Sequence, residues 1–247
     1  MNKKRNFSPY ELNQLQKWTK NIDINSIGET PVEYITGHIE FCGLDFLVTE
    51  DTLIPRIESE QIVNDGFRFI EELGISHPVI ADIGTGTGCL GISLAVKLSK
   101  SQIPYSIFLS DISPLALKVA DLNSQRLLHS QENIFFLESN LLESFPKIKF
   151  DLILANLPYI PTQNIFTLDS SVKDFEPITA LDGGLKGNLY INALLSKLPQ
   201  FLNKKGVAIF EIDDTHSLES FSIPQTLSST IENDCFNKPR FLVCSYL

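Results

Sequence analysis

A glycine-rich turn between two apolar segments constrains the fold of this chain more than any other feature. Residues 79–83 (Val-Ile-Ala-Asp-Ile) suit a buried strand, and apolar residues return at helical spacing over 90–98. The glycines between and within these segments are Gly84, Gly86, Gly88 and Gly91. A tight strand-to-helix turn needs glycine because a Cβ atom would block the close approach of the backbone to a ligand. The pattern predicts a ligand-binding turn in a parallel α/β sheet.

Two carboxylates stand at the ends of neighbouring predicted strands. Asp82 precedes the glycine turn, and Asp111 follows the strand predicted over 104–109. The carboxyl ends of parallel strands converge on the ligand of an open sheet, so we expect Asp111 to accept ribose hydroxyls. The glycine spacing also fits a dinucleotide fingerprint, which would place a ribose on Asp111 as well. The turn alone therefore leaves open which nucleotide binds.

Composition favours a protein or small-molecule substrate over nucleic acid. The 247 residues carry a formal net charge of −10, whereas phosphate binding depends on Lys and Arg. No apolar run reaches the roughly 18 residues that cross a bilayer, and no apolar signal-peptide segment follows the basic start Met1–Asn6. The cysteines Cys42, Cys89, Cys235 and Cys244 lack a metal-binding or disulfide spacing. We expect a cytoplasmic protein with reduced thiols, no metal and no membrane contact.

Three segments are expected along the chain. Residues 1–30 form a short helical segment, whose helix starts at Pro9 with Ser8 as its N-cap. Residues 31–58 form a linker, and apolar residues that alternate around Gly43 within it predict a β-hairpin: Ile39, Phe41, Leu44, Phe46 and Val48. Residues 59–247 are expected to form the main domain, which contains the glycine turn.

Alternating strands and helices in the third segment predict a doubly wound α/β fold. One helix is expected over 187–203, and a weak helix is expected before the last strand. The predicted strands are 79–83, 104–109, 133–137, 150–155, 206–212 and 240–246. We expect a Rossmann-like, seven-stranded, mostly parallel sheet with a reversed final strand.

A four-residue motif follows the strand 150–155 directly: Asn156-Leu157-Pro158-Tyr159. This motif separates two kinds of enzyme that bind a nucleotide at such a turn, dehydrogenases and methyltransferases. A dehydrogenase has no need for it, whereas methyl transfer to a planar nitrogen requires that nitrogen to be held with its N–H groups bound. The Asn156 carboxamide can pair with a planar amide or a base edge, and the Leu157 carbonyl can accept the remaining N–H. Pro158 stiffens this backbone, and Tyr159 can cover the acceptor plane.

This motif and its surroundings resemble the HemK/PrmC family of release-factor glutamine N(5)-methyltransferases. Residues 34–46 are similar to the family's Y-I-x-G-x-x-x-F-x-G-L-x-F, and residues 53–60 to its L-I-P-R-P-E-T-E. Residues 176–187 are similar to E-P-x-x-A-L-x-G-G-x-D-G, and Glu211-Ile212 begins the family's E-I-G. The conjunction of these motifs is specific where each alone is not.

The resemblance implies a class I methyltransferase that uses S-adenosylmethionine and releases S-adenosylhomocysteine. Its acceptor would be a glutamine side-chain amide, in the Gly-Gly-Gln loop of peptide chain release factors. We expect a monomer that binds this protein partner and does not bind nucleic acid directly. The methyl-donor site implied by the family comprises Asp82, Gly84, Thr85, Gly86, Gly88, Asp111, Ile112, Asn140 and Asn156. The catalytic residues implied are Asn156, Leu157, Pro158 and Tyr159, and the acceptor-binding residues are Asn156, Pro158, Tyr159 and Arg56.

The chain departs from the family pattern at Ile57, Ser59, Asn140, Leu157, Lys186 and Asp213, where the family usually has Pro, Thr, an acidic residue, Pro, Asp and Gly. From the resemblance, we also expect the family's helical N-terminal domain to be reduced here to about one helix. The form Asn-Leu-Pro-Tyr is found in ribosomal RNA adenine dimethylases, so an rRNA adenine N6-methyltransferase is an alternative. A homologue that binds S-adenosylmethionine without activity is a further alternative.

Overall fold

The computed structural model describes residues 5–247, where the chain forms one seven-stranded sheet, a separate hairpin and flanking helices. Residues 1–4 lie outside the described range, and the expectation that the chain does not start with a signal peptide concerns these residues in part. The strands are β1 His38–Phe41, β2 Leu44–Leu47, β3 Val79–Ile83, β4 Ser106–Asp111, β5 Ile134–Glu138, β6 Phe150–Ala155, β7 Leu202–Glu211, β8 Leu227–Asn233 and β9 Pro239–Tyr246. The α-helices are α1 Pro9–Trp18, α2 Val32–Thr36, α3 Glu60–Glu72, α4 Cys89–Lys100, α5 Pro114–Leu127, α6 Ser170–Lys173, α7 Leu189–Leu195 and α8 Leu198–Phe201.

The strand order in the large sheet is β5-β4-β3-β6-β7-β9-β8. The first five strands in this order run parallel, and β9 runs antiparallel to both of its neighbours. This topology confirms the expected seven-stranded sheet with a reversed final strand. In the register of the sheet, Ile83 at the end of β3 lies opposite Ser110 of β4 and Ala155 of β6. The residues that follow these three strands therefore emerge side by side.

The sheet is buried on both faces, as a doubly wound parallel sheet requires. Side chains alternate across β3, so Ile80 packs into the core that contains α3 and α4, whereas Ile83 packs into the core that contains α7 and α8. The mostly apolar sequence of β3 follows from this two-sided burial.

The predicted first helix and hairpin are both confirmed. Ser8 caps α1, because its hydroxyl accepts the Glu11 amide N–H at 3.2 Å and the Glu11 carboxylate accepts the Ser8 N–H at 2.7 Å. At the other end of α1, the Trp18 ring stacks on His38 of β1 with ring centroids 3.6 Å apart. The His38 side chain also pairs with Asp45 of β2 at 2.9 Å. The stack therefore joins the first helix to the hairpin.

Two helix predictions were wrong. The helix expected over 187–203 is divided into α7 and α8, and β7 begins at Leu202. Pro199 lies next to this break, and its ring removes a backbone donor and excludes the carbonyl four residues earlier. The segment expected to hold a weak helix contains a 3₁₀ turn at Leu218–Ser220 and the strand β8. Within residues 5–247, no helix combines the length and the apolar character needed to cross a membrane.

Candidate functional site

A pocket opens where β3, β4, β5 and β6 end, as expected for an open α/β sheet. The linker before α3 and the loop before α7 close its other sides. The lining residues from the strand ends are Ile83, Gly84, Thr85, Gly86, Asp111, Ile112, Ser139, Asn140, Asn156, Leu157 and Pro158. Those from the linker and the later loop are Asp51, Thr52, Leu53, Pro55, Ser59, Pro177, Thr179, Ala180 and Tyr190.

The glycine turn forms one wall of the pocket by bringing its backbone to the surface. Gly84 and Gly86 have φ of 72° and 55°, a left-handed conformation that side-chain-bearing residues rarely adopt. A Cβ atom on Gly84 would lie 3.0 Å from Leu157 Cδ2, whereas the space around Gly86 is open. The turn therefore leaves room for a ligand against its own peptide groups.

Asp82 lies behind this wall and holds it in shape. Its side chain is fully buried, and Oδ2 accepts the Thr85 hydroxyl at 2.7 Å and the Gly91 N–H at 2.9 Å. Oδ1 is buried without a hydrogen-bond partner among residues 5–247. Burial raises the pKa of Asp82 from 3.8 to about 6, against the lowering effect of the two donors. The other predicted residue behind the wall is Gly88, which caps α4 with φ of 82°.

Asp111 lines the pocket next to the glycine turn. Oδ2 accepts the Gly86 N–H and Oδ1 accepts the Ser113 N–H, both at 2.9 Å. Burial raises the pKa of this carboxyl group, and the backbone donors oppose the rise. Each carboxylate oxygen has a second lone pair, so Asp111 can still accept hydroxyl groups from a ligand. Ile112, which is 64% exposed, adds an apolar surface beside it.

Asn140 follows β5 and lines the far end of the pocket. Its side chain is exposed, and Nδ2 donates to Glu143 Oε1 at 3.3 Å. The carboxamide oxygen can therefore turn toward a ligand without loss of a buried contact.

Asn156 leaves the end of β6 with its carboxamide in the pocket and belongs to a chain of side-chain hydrogen bonds. Its Nδ2 donates to Ser59 Oγ at 3.2 Å, and Ser59 Oγ donates to Glu211 Oε2 at 2.5 Å. The second oxygen of Glu211 accepts the Tyr159 hydroxyl at 3.0 Å. Burial raises the pKa of Glu211, whereas the two hydroxyl donors and nearby Arg240 lower it. We call these four residues, Asn156, Ser59, Glu211 and Tyr159, the Asn156 network.

The other motif residues differ in their surroundings. Leu157 is 5% exposed and packs its side chain against Gly84, so it supports the glycine turn in addition to presenting a carbonyl. Pro158 lines the pocket. Tyr159 lies behind it, where burial and the Glu211 charge raise the pKa of its hydroxyl well above the usual value.

Arg56 has a protein partner. Its guanidinium group pairs with Glu176, whose side chain is 1% exposed and whose Oε2 also accepts the Ile54 N–H at 3.1 Å. This pair joins the linker to the loop that contains Pro177, and both segments line the pocket. Arg56 therefore stabilises the contact between these two segments of the pocket wall. Its contact with the methyl acceptor stays a prediction.

The sequence did not predict the contacts that Ser59, Glu176 and Glu211 make at the site. Each was noted only as part of a family motif, because a single serine or glutamate carries no local signal of its partner. Ser59 and Glu211 are 152 positions apart. One signal could have pointed to Glu211, which is an acidic residue at the end of a buried strand. Burying an unpaired charge costs free energy, so such a residue needs partners.

The fold and the site together define a class I methyltransferase. Over residues 60–169 the chain matches the Methyltransferase small domain family. The hMettl16 catalytic domain in complex with MAT2A 3′UTR hairpin 1 has a TM-score of 0.64 at 15% identity, over 96% of this chain and 90% of that chain. A methyltransferase from Pyrococcus furiosus has a TM-score of 0.53 at 16% identity, over 82% of this chain and 88% of that chain. At these identities the likeness shows the shared fold.

Sequence relatives narrow this class to one family. The Release factor glutamine methyltransferase of Geobacter sulfurreducens is 37% identical over 182 residues, which are 74% of this chain and 60% of that protein. The Clostridium acetobutylicum relative of the same name is 33% identical over 92% of this chain and 75% of its own length. The Bacillus subtilis relative of the same name is 31% identical over 83% of this chain and 69% of its own length. The chain belongs to the release factor glutamine methyltransferase family, and it spans 60% to 75% of the length of these relatives.

Proposed function

We propose that this protein transfers a methyl group from S-adenosylmethionine to the side-chain amide nitrogen of a glutamine, in the Gly-Gly-Gln loop of peptide chain release factors. The observation that carries this proposal is the position of the Asn156 carboxamide. It lies in the pocket at the end of β6, next to the glycine turn and followed by the Leu157 carbonyl. The names of the curated relatives support the same acceptor.

The residues present fit the methyl donor. S-adenosylmethionine, when bound, supplies an electrophilic methyl group on a sulfonium centre. The open backbone at Gly86 suits the amino acid end of such a molecule. Asp111 would hold the ribose hydroxyls, and Ile112 and Asn140 would contact the adenine. In this arrangement Thr85, Gly84 and Gly88 shape the turn, and Asp82 acts from behind it.

The acceptor end of the pocket offers hydrogen-bond acceptors for an N–H group. A glutamine amide nitrogen is planar and carries two N–H groups, which the Asn156 Oδ1 and the Leu157 carbonyl oxygen would accept. Pro158 keeps that carbonyl in place because its ring fixes φ. The nitrogen needs positioning and exclusion of water more than a general base, so the rate comes from orientation in a desolvated pocket.

The protein partner follows from the same proposal. A release factor would present its glutamine at the mouth of the pocket, and a monomer would suffice because the residues described above come from one chain. A net charge of −10 disfavours direct contact with RNA. We place this reaction in the cytoplasm, where translation termination occurs.

A methyl-transfer assay with isotope-labelled donor tests the proposal. The wild-type protein should label a purified release factor and leave total RNA unlabelled. The Asn156→Ala variant should lose about 10- to 100-fold or more of its turnover, because a buried polar group of the acceptor is left unsatisfied, while methyl-donor affinity changes little. Robust labelling of RNA with none on the release factor would replace the proposal with the RNA adenine alternative. Binding of the donor without any transfer would indicate the inactive homologue.

A further inference from the structure

The Asn156 network has a fixed direction of hydrogen bonding. An ionised carboxylate only accepts hydrogen bonds, so Glu211 requires a donated proton from both the Ser59 and the Tyr159 hydroxyl groups. Since the Ser59 proton is directed to Glu211, Ser59 Oγ can only accept from Asn156, which must present its NH₂ group. The amide orientation of Asn156 is thus determined by residues outside its own motif.

The consequence falls on the atom that faces the pocket. With Nδ2 held by Ser59, Oδ1 is left to the pocket, and it makes no hydrogen bond within the described part of the chain. A carbonyl oxygen at this position selects an acceptor group that donates an N–H. The opposite orientation would present an NH₂ group, which repels the N–H groups of a primary carboxamide.

We infer that Ser59 and Glu211 are positioning residues that hold the Asn156 carboxamide with its oxygen toward the pocket, so that the site takes an N–H donor such as an unmethylated primary carboxamide. This inference rests on the proposed function for the identity of the acceptor. Its structural part, the orientation of Asn156, does not depend on the acceptor. Burial keeps the arrangement rigid, because Ser59 and Glu211 are both 1% exposed.

Three substitutions separate this role from a general effect on the fold. Ser59→Ala removes the group that orients Asn156 and should lower kcat about 10- to 100-fold with an unchanged Kd for the methyl donor. Ser59→Thr keeps the hydroxyl and should recover most of that loss. Glu211→Gln preserves size but can donate to Ser59, which frees the hydroxyl proton for Asn156 Oδ1, so kcat should fall about tenfold or more without loss of thermal stability. Ser93→Ala, at a buried serine outside the pocket lining, is the matched control and should leave kcat unchanged.

A double-mutant cycle in this protein, with the release factor as the substrate, tests whether Ser59 acts through Asn156. If it does, Ser59→Ala combined with Asn156→Ala should be no slower than Asn156→Ala alone. Losses that multiply would show that Ser59 acts independently and would overturn the inference, as would wild-type kcat in Ser59→Ala.

The side-chain NH₂ signals of Asn156 in ¹H–¹⁵N spectra provide a second test that needs no acceptor. The spectrum of Asn156→Ala identifies these signals. They should shift in Ser59→Ala and Glu211→Gln and stay near their wild-type positions in Ser59→Thr and Ser93→Ala. Unchanged signals in Ser59→Ala would overturn the inference even in an active enzyme. Shifted signals in a protein that methylates no release factor would support the orientation and refute only the proposed function.

Discussion

Asp82 should make the stability of this protein fall as the pH rises through the weakly acidic range. The carboxyl group is fully buried, and its pKa rises from 3.8 to about 6 on folding because burial disfavours the charged form. Between these values the unfolded chain releases the proton while the folded protein retains it. The folded state therefore binds more protons, and the free energy of unfolding decreases with pH in this window.

The magnitude follows from the size of the pKa change. A shift of about 2 units corresponds to about 3 kcal/mol, since each unit corresponds to about 1.4 kcal/mol. The stabilising contribution is fully present below about pH 4 and is lost by about pH 6 to 7. Asp82→Asn has no ionisable group at this position, so its free energy of unfolding relative to wild type should rise by about 3 kcal/mol across the window. Near pH 4 the variant should be equal or less stable, because its NH₂ group would replace the partnerless Oδ1.

Urea unfolding followed by far-ultraviolet circular dichroism at several pH values between 4 and 7 measures this difference. Other carboxyl groups contribute equally to both proteins and cancel in the comparison. Equal m-values for the two proteins serve as the control for similar unfolded states. Free energies of unfolding that stay parallel over the whole range would refute the account of Asp82.

Three further substitutions test separate parts of the site. Asp111→Ala should weaken methyl-donor binding in calorimetry by about 10- to 100-fold through loss of the ribose contact, and an unchanged Kd would remove that contact from the account. Leu157→Ala should lower the free energy of unfolding by about 2–4 kcal/mol in urea titrations because it leaves a cavity beside Gly84, and a smaller change would show that its packing is dispensable. Arg56→Ala should lower the free energy of unfolding by about 3 kcal/mol because Glu176 stays buried without its partner. Arg68→Ala, at an arginine whose side chain is 55% exposed, should lower it by less than about 1 kcal/mol, and equal losses would contradict the role of the Arg56 pair.

The centre of the fold could be predicted from the sequence because its signals are local. The strand bounds of β3 and β6 were predicted correctly, since each is a mostly apolar run followed by turn residues. The cap at Ser8 was also correct, because a serine before a proline marks a helix start over a few residues. By contrast, β8 was missed. It is a polar edge strand with serine, threonine and asparagine, and its pairing with β9 is decided by contacts that the segment itself does not encode.

The site was only partly predictable for the same reason. The glycine turn and the Asn156 motif have fixed spacings that indicate their surroundings, and the structure brings them together at one edge of the sheet. The partners of Asn156 come from the start of α3 and the end of β7, which only the folded sheet places together. Asp82 was expected in the methyl-donor site, and the structure buries it where it accepts hydrogen bonds from Thr85 and Gly91, so its part in donor binding stays a prediction.

Methyl transfer to one glutamine side chain is the proposed activity, and tandem mass spectrometry of the release factor would detect it at the modified residue. The factor, expressed without a methyltransferase, is incubated with the protein and S-adenosylmethionine and then digested. We expect a single added methyl group on the glutamine of the Gly-Gly-Gln peptide, with none when Asn156→Ala replaces the wild type. A methyl group on another residue, or an unmodified peptide beside methylated RNA, would contradict it.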